Sequence, residues 1–308
     1  MKPATESRES IAVTVLGTTL QGTCHWPGES SANVPVFGGD GRLGLLLMNS
    51  GFLPRAGIGD SSVYWADSLA RLGYPVFRLD LPALGDSGGD IPVDLLDFIN
   101  TAGYATVLSE AVTSIVERHN LAGMAILGHC AGAVSALFAA ATCRYCRGLI
   151  LLDPYFHLPQ KRAKIRDDLS RWASANRVGG RMSDIYDLLK RARLLFRGNK
   201  LPANTNWALL RCWGRLASQR MPILILKAPP VKSGGTSPRV GTFDYVQHFQ
   251  SRASQNDRMV VKFIAGTNHT FADRVGRGAV RQQTEQWLRE TFPCSEVSSI
   301  SAAGVSKS

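Results

Sequence analysis

Met124-Ala125-Ile126-Leu127-Gly128-His129-Cys130-Ala131-Gly132-Ala133-Val134 is the stretch from which the rest of the chain is read. An apolar run of strand length enters a Gly-x-Cys-x-Gly pentapeptide, and a small-residue, helix-forming segment follows. A turn that passes directly from strand to helix leaves no room for side chains two residues to either side of its apex. Gly128 and Gly132 suit those flanks and Cys130 the apex. Cys130 would then stand above a sheet at a helix N-terminus, where free N–H groups and the helix dipole favour a thiolate. This is the context of a nucleophile elbow with a reactive thiol. Taken alone, the pentapeptide also reads as a buried cysteine in a helix-start turn.

Working outward, similar apolar runs recur at Ile11–Leu16, Leu43–Met48, Pro75–Leu79, Gly148–Leu152, Pro222–Leu226 and Met259–Ile264, and each reads as a strand. Amphipathic stretches at Ser61–Leu72, Tyr104–Asn120, Ala131–Thr142 and Arg277–Phe292 read as helices between them. Such alternation implies an α/β fold with a mostly parallel central sheet flanked by helices. The interval Tyr155–Arg220 breaks it, having helical periodicity but no strand-like run. The expected organisation is an N-terminal part of the core at 1–154, a helical lid insertion at 155–220, a C-terminal part of the core at 221–294 and a flexible tail at 295–308. Gly28–Gly41, rich in Gly, Ser and Pro, reads as a loop.

The 308 residues, 44% hydrophobic and 19% charged, have the composition of an ordinary globular chain. Apolar runs are far shorter than the ~20 residues of a membrane span, so none is expected. Met1–Ser7 is polar and lacks the apolar core of a secretory signal, which points to a cytoplasmic location with reduced cysteines. Of the six cysteines only Cys143 and Cys146 are closely spaced, and no second pair accompanies them, so neither a metal site nor a cofactor is expected. The net charge is +11, and between Tyr155 and Lys200 twelve Lys or Arg face four Asp. That basic segment suits an acidic partner or a solvated helix surface equally well. No nucleic-acid recognition motif accompanies the charge, so nucleic acid is not expected as a partner.

Four segments follow one another in an order that resembles the α/β-hydrolase superfamily, from about Leu43 to Phe292. They are Leu45–Phe52, Val76–Gly88 with its Gly85-Asp86-Ser87 turn, the elbow, and Gly266–Phe271. The resemblance implies the α/β-hydrolase fold and a base, His269, on the loop after the last strand. Many relatives carry the triad acid after the strand that here reads Ile223–Leu226, but Lys227-Ala228-Pro229 stands there instead. Two acids remain. Asp153 directly follows Leu149–Leu152, the position some thioesterases of the superfamily use, and is expected as the acid; Asp244, beyond a long loop, is the alternative. Oxyanion stabilisation needs two preorganised donors, expected from the backbone N–H of Ala131 and that of Ser50 or Gly51. His129 is expected to pack or line the pocket, pointing away from the nucleophile; Asp80, Asp86 and Ser87 are expected to be structural.

Dienelactone hydrolases and some thioesterase-like cyclases of the superfamily also use cysteine. The chain is also similar to exosortase-system-associated hydrolases in its Gly-Asp-Ser turn, elbow cysteine and Leu-Leu-Asp-Pro-Tyr segment before a basic lid. A thiolate attacks thioesters readily and passes the acyl group to water, alcohol or amine. The expected function is thus a cysteine-dependent thioesterase or acyltransferase acting on a small-molecule acyl substrate. That substrate could be presented by an acidic acyl carrier protein facing the basic segment. The alternatives are a carboxylester or lactone hydrolase acting on a free small molecule, and a catalytically silent binding protein of the same fold.

Overall fold

Alternate residues of the central apolar runs serve two separate cores, which is why those runs show no polar alternation. In β4 (Gly41–Met48), Leu43, Leu45 and Leu47 join one core, and Leu46 and Met48 the other. β7 (Cys146–Leu152) divides likewise, with Ile150 and Leu152 on one side and Leu149 and Leu151 on the other. The computed structural model describes residues 7–28, 36–37, 41–48, 50–158, 201–229, 244–250 and 258–292. Most of the segment expected as a lid, 159–200, and the whole tail at 295–308 lie outside the described residues.

Among the described residues the sheet has nine strands, in the order β1-β2-β5-β4-β6-β7-β8-β9, with the two-residue β3 (Val36–Phe37) paired beside β4. From β5 (Val76–Leu79) through β4, β6 (Leu121–His129), β7 and β8 (Ile223–Lys227) to β9 (Met259–Phe263) all neighbours are parallel. β1 (Ser7–Val15) and β2 (Thr18–Trp26) form an antiparallel hairpin added beyond β5. Its two-residue turn places Leu16 at φ 48° and Gly17 at φ 76°, the positive pair that matches strand twist in tight hairpins. β2 does not appear among the strands expected from sequence. Its apolar positions are Leu20, Gly22 and Cys24, separated by Gln21 and Thr23, too weak a run to stand out.

One face of the sheet is covered by α1 (Ser61–Ala70) and α7 (Arg274–Thr291). The other carries α2 (Leu95–Asn100), α3 (Ala105–Arg118), α4 (Ala131–Ala140), α5 (Trp207–Ser218) and α6 (Tyr245–Gln250). α5 falls within the expected lid interval. It buries Leu209, Trp213 and Leu216 in the same core as α4, as the crossover between parallel β7 and β8 requires. Among the described residues no helix is long and apolar enough to cross a membrane. The chain passes from β4 to β5 on one side and returns to β6 on the other. That reversal opens a crevice beyond the carboxyl ends of β4 and β6, where open parallel sheets bind ligands.

A charged group is also packed beside β5. The His25 ring, 1% exposed, accepts from Arg78 Nε at 2.8 Å, so its Nδ1 carries the proton and donates to Asp67 Oδ1, also at 2.8 Å. Arg8 clamps the same carboxylate. Burial opposes ionisation of Asp67, but the bonds from Arg8 and His25 outweigh it and hold the carboxyl below its usual value. Stability from such a group is complete above the unfolded-state value and lost as pH falls through the lower folded-state one. Asp67→Asn should therefore be less stable than the wild type by about 1–3 kcal/mol above about pH 4. The gap should shrink at lower pH, as urea denaturation series will show.

Candidate active site

β6 passes into α4 through one residue, Cys130, at φ 52° and ψ −111°. An added Cβ on Gly128 would lie 2.6 Å from the Gly132 carbonyl oxygen and 2.7 Å from Ala133 Cα, so only glycine lets strand and helix approach this closely. The Cys130 carbonyl accepts from Ala133 and Val134 and opens the first turn of α4. Ala131, the first helical residue, lies where helix N–H groups have no acceptor within the helix. Cys130 is partly exposed, whereas Cys24, Cys143 and Cys146 are buried. Burial pushes the Cys146 thiol up to about 12 and drives that of Cys24 upward as well. Cys294 lies outside the described residues.

β7 delivers Asp153 beside the elbow, because Leu152 is the register partner of His129 and its carbonyl accepts the Cys130 N–H at 2.9 Å. Asp153 also stands at a positive φ, 47°, and its own N–H donates to the Leu226 carbonyl at 2.8 Å. Its Oδ2 is hydrogen-bonded to Nδ1 of His269, across 116 residues of sequence. His269 sits on the loop after β9, in a turn closed by the Phe271 N–H on the Asn268 carbonyl at 3.1 Å. Asn268 Oδ1 accepts from the Thr270 N–H at 2.9 Å, and Phe271 is fully buried. The histidine is therefore carried by a turn anchored on both sides.

The other acid weighed from sequence, Asp244, is engaged elsewhere. Its Oδ1 accepts from Lys227 Nζ at 2.9 Å and from the Val246 and Gln247 N–H groups at 3.0 Å each, at the start of α6. Burial works against its ionisation, yet those donors hold its carboxyl below the usual range. Ser50 and Gly51 open the loop after β4, whose last residue, Met48, is the register partner of Gly128. The Ser50 carbonyl accepts from Leu53 at 3.0 Å, and Gly51 has φ 53°, so the loop turns at once beside the elbow. Among the described residues no cluster of three or more His, Cys, Asp or Glu is arranged to hold a metal.

His129 does more than the packing expected of it. The ring is 6% exposed, and its Nε2 lies 2.8 Å from the His269 carbonyl oxygen. A carbonyl only accepts, so Nε2 carries the proton and donates. The two imidazoles lie 5.2 Å apart, and Phe271 packs on the His129 ring at 6.0 Å. The residue before Cys130 thus ties the elbow to the loop that carries His269. Its place next to Cys130 is the only sign of this in the sequence.

Gly128→Ala should be destabilised by roughly 2 kcal/mol or more, since the clash is with helix backbone that cannot step aside, and denaturant titration will measure the loss. His129→Phe, which keeps an aromatic ring but not the donor, should loosen the His269 loop and lower hydrolytic activity by about 10-fold or more. His129→Gln should recover most of that activity, and thermal melting should show both variants folded.

Comparison with known proteins adds the following. A family model described as "Alpha/beta hydrolase family" matches residues 52–280. No curated protein matches the sequence. An esterase of Pyrococcus furiosus superposes with a TM-score of 0.61 at 11% identity, covering 93% of this chain and 92% of that one. A predicted CIB-like hydrolase from Thermoplasma acidophilum gives 0.52 at 13% identity, with 93% and 100% covered. The proline iminopeptidase-related protein of Thermus thermophilus gives 0.53 at 19% identity, with 93% and 99% covered. At these identities the three share the fold with this chain.

Proposed function

This chain belongs to the alpha/beta hydrolase family, and we propose that it is a cysteine-dependent thioesterase or acyltransferase with Cys130 as nucleophile, His269 as base and Asp153 as the acid that orients it. The observation that carries the reading is the hydrogen bond from His269 Nδ1 to Asp153, made beside a cysteine at the apex of a strand-to-helix turn. A carboxylate on Nδ1 fixes the ring and stabilises the imidazolium that forms when the other nitrogen takes a proton.

In the proposed reaction His269 accepts the Cys130 thiol proton, and the thiolate sulfur bonds to the acyl carbon of a thioester. The carbonyl π electrons move to oxygen, where the N–H groups of Ala131 and of Ser50 or Gly51 stabilise the charge. The intermediate collapses with loss of the donor thiolate, which takes the proton from His269 and leaves an acyl-Cys130 thioester. Water or an alcohol, deprotonated in turn by His269, then attacks that acyl carbon. It releases acid, ester or lactone and returns the proton to the Cys130 sulfur. Exchange of one thioester for another is close to balanced in energy, which favours a thiol nucleophile for thioester donors. The basic segment between Tyr155 and Lys200 supports an acidic acyl carrier as the form in which the donor arrives.

Intact-mass spectrometry after mixing with acyl thioesters, free and carrier-bound, tests the reading. The wild type should gain one acyl group, lost in Cys130→Ala, with a carrier-bound donor reacting faster than its free counterpart. Turnover of free esters or lactones without preference for thioesters would favour a small-molecule ester hydrolase instead, and no adduct with any donor would favour a silent fold. Asp153→Asn should lower kcat/KM by roughly 10²–10⁴-fold. Asp244→Asn, which releases a helix-start carboxylate and its lysine, should leave kcat/KM within about threefold.

A further inference from the structure

Asp80 immediately follows β5, and its carboxylate is wholly buried. Oδ1 accepts the backbone N–H of Arg55 at 2.5 Å, while Oδ2 bonds the Arg55 guanidinium and accepts the Asp86 N–H at 3.1 Å. The other side of Arg55 is also held by charge, since its carbonyl accepts from Arg78 Nη1 at 2.9 Å. Space for the carboxylate is provided by Gly85, where an added Cβ would fall 2.3 Å from Asp80 Cγ and Oδ2. Two buried charges of opposite sign, Asp80 and Arg78, therefore hold Arg55 from its N–H and its carbonyl.

Arg55 is the far end of the loop that begins at Ser50. The near end is fixed by Met48, paired in the sheet with Gly128. Between these anchors the chain makes one tight turn, Leu53 N–H to the Ser50 carbonyl, and Arg55 itself lies in a second, Gly57 N–H to the Pro54 carbonyl, each at 3.0 Å. A loop this short, held at both ends, cannot shift its first residues without breaking a bond to buried charge. We infer that the Arg55–Asp80 pair is a positioning device that sets the Ser50–Gly51 N–H groups for the oxyanion, a role that rests on the reaction proposed above. Arg55 Nη1 also bonds Asp86 at 2.7 Å, so the side chain braces the turn after β5 as well, but that bracing would not need the bond from the Arg55 main-chain N–H to Asp80. The donors act only if they meet the oxyanion where it forms. Displacement by about 1 Å is enough to cost on the order of 10²-fold in rate.

Two reactions of the same sulfur separate positioning from collapse. Acylation by a small acyl thioester develops an oxyanion; alkylation by iodoacetamide displaces iodide at carbon and does not. In Arg55→Gln the single-turnover acylation rate, read by intact mass, should fall about 10²-fold while alkylation of Cys130 stays within about threefold of wild type. Arg55→Lys, which keeps the charge but not the fork, should fall between. Should Asp80→Asn fail to fold, the Arg55 variants carry the test, because that side chain is partly exposed. Acylation unchanged in folded Arg55→Gln overturns the inference, as does a parallel loss of alkylation, which would mean the whole site had moved. A wild type that is neither acylated nor alkylated at Cys130 overturns the proposed reaction itself, and the positioning role with it.

Discussion

The candidate site hangs on one steric constraint: the chain turns from β6 into α4 within a single residue. That residue, Cys130, has a backbone conformation costing about 1–3 kcal/mol, and such strain persists only where the surroundings over-determine it. Here the surroundings are main chain. The hydrogen-bond ladder of the parallel sheet runs one residue beyond the strands, Cys130 to Leu152, Asp153 to Leu226 and Ile264 to Lys227. Two of the candidate residues are therefore fixed by the backbone that carries them before any side-chain contact is made. His269 alone comes from a longer loop, and it has two further restraints, the carboxylate of Asp153 on its ring and the donor of His129 on its carbonyl.

Charge is buried in this protein where chain must be held without regular structure. Asp80 has no strand or helix to brace, yet its carboxylate is enclosed completely, and it holds Arg55 of the loop after β4 to Asp86 of the turn after β5. Arg78 lies two residues before it in sequence and is pushed down to about 10 by burial and by the neighbouring guanidinium of Arg55. Two adjacent cations are tolerated because each meets an acceptor, Arg55 the carboxylates of Asp80 and Asp86 and Arg78 the His25 ring. Removing one partner from such a group leaves the other buried and uncompensated.

What the sequence made legible follows from how local each signal is. The elbow could be read because its strand, glycines and helix are contiguous, and the parallel sheet because its strands are apolar on both faces. β2 escaped notice because its apolar content is supplied by a glycine and a cysteine, which earn their place only when β1 and β5 lie alongside. The choice between Asp153 and Asp244 could be posed from sequence but not closed. What a sequence does not carry is the placement: β7 lies beside β6 and brings Asp153 to the His269 ring, whereas Asp244 is drawn to Lys227. The link from His129 to His269 spans 140 residues, and nothing periodic or compositional signals a bond from an imidazole to a distant carbonyl.

The division of the interior into two cores has a consequence for synthesis. The face carrying Leu43, Leu45, Leu47, Ala125, Leu127 and Ile150 is closed by α1 together with α7, and the indole N–H of Trp65 reaches the Arg277 carbonyl across 212 residues. α7 is the last helix described, so a nascent chain presents this side of its sheet covered only by α1 until that segment has left the ribosome. The opposite side can close earlier, as α3 and α4 emerge with the strands they cover. Chaperone engagement would thus be expected to concentrate on one surface of the partly made sheet and to end with the arrival of a single amphipathic helix.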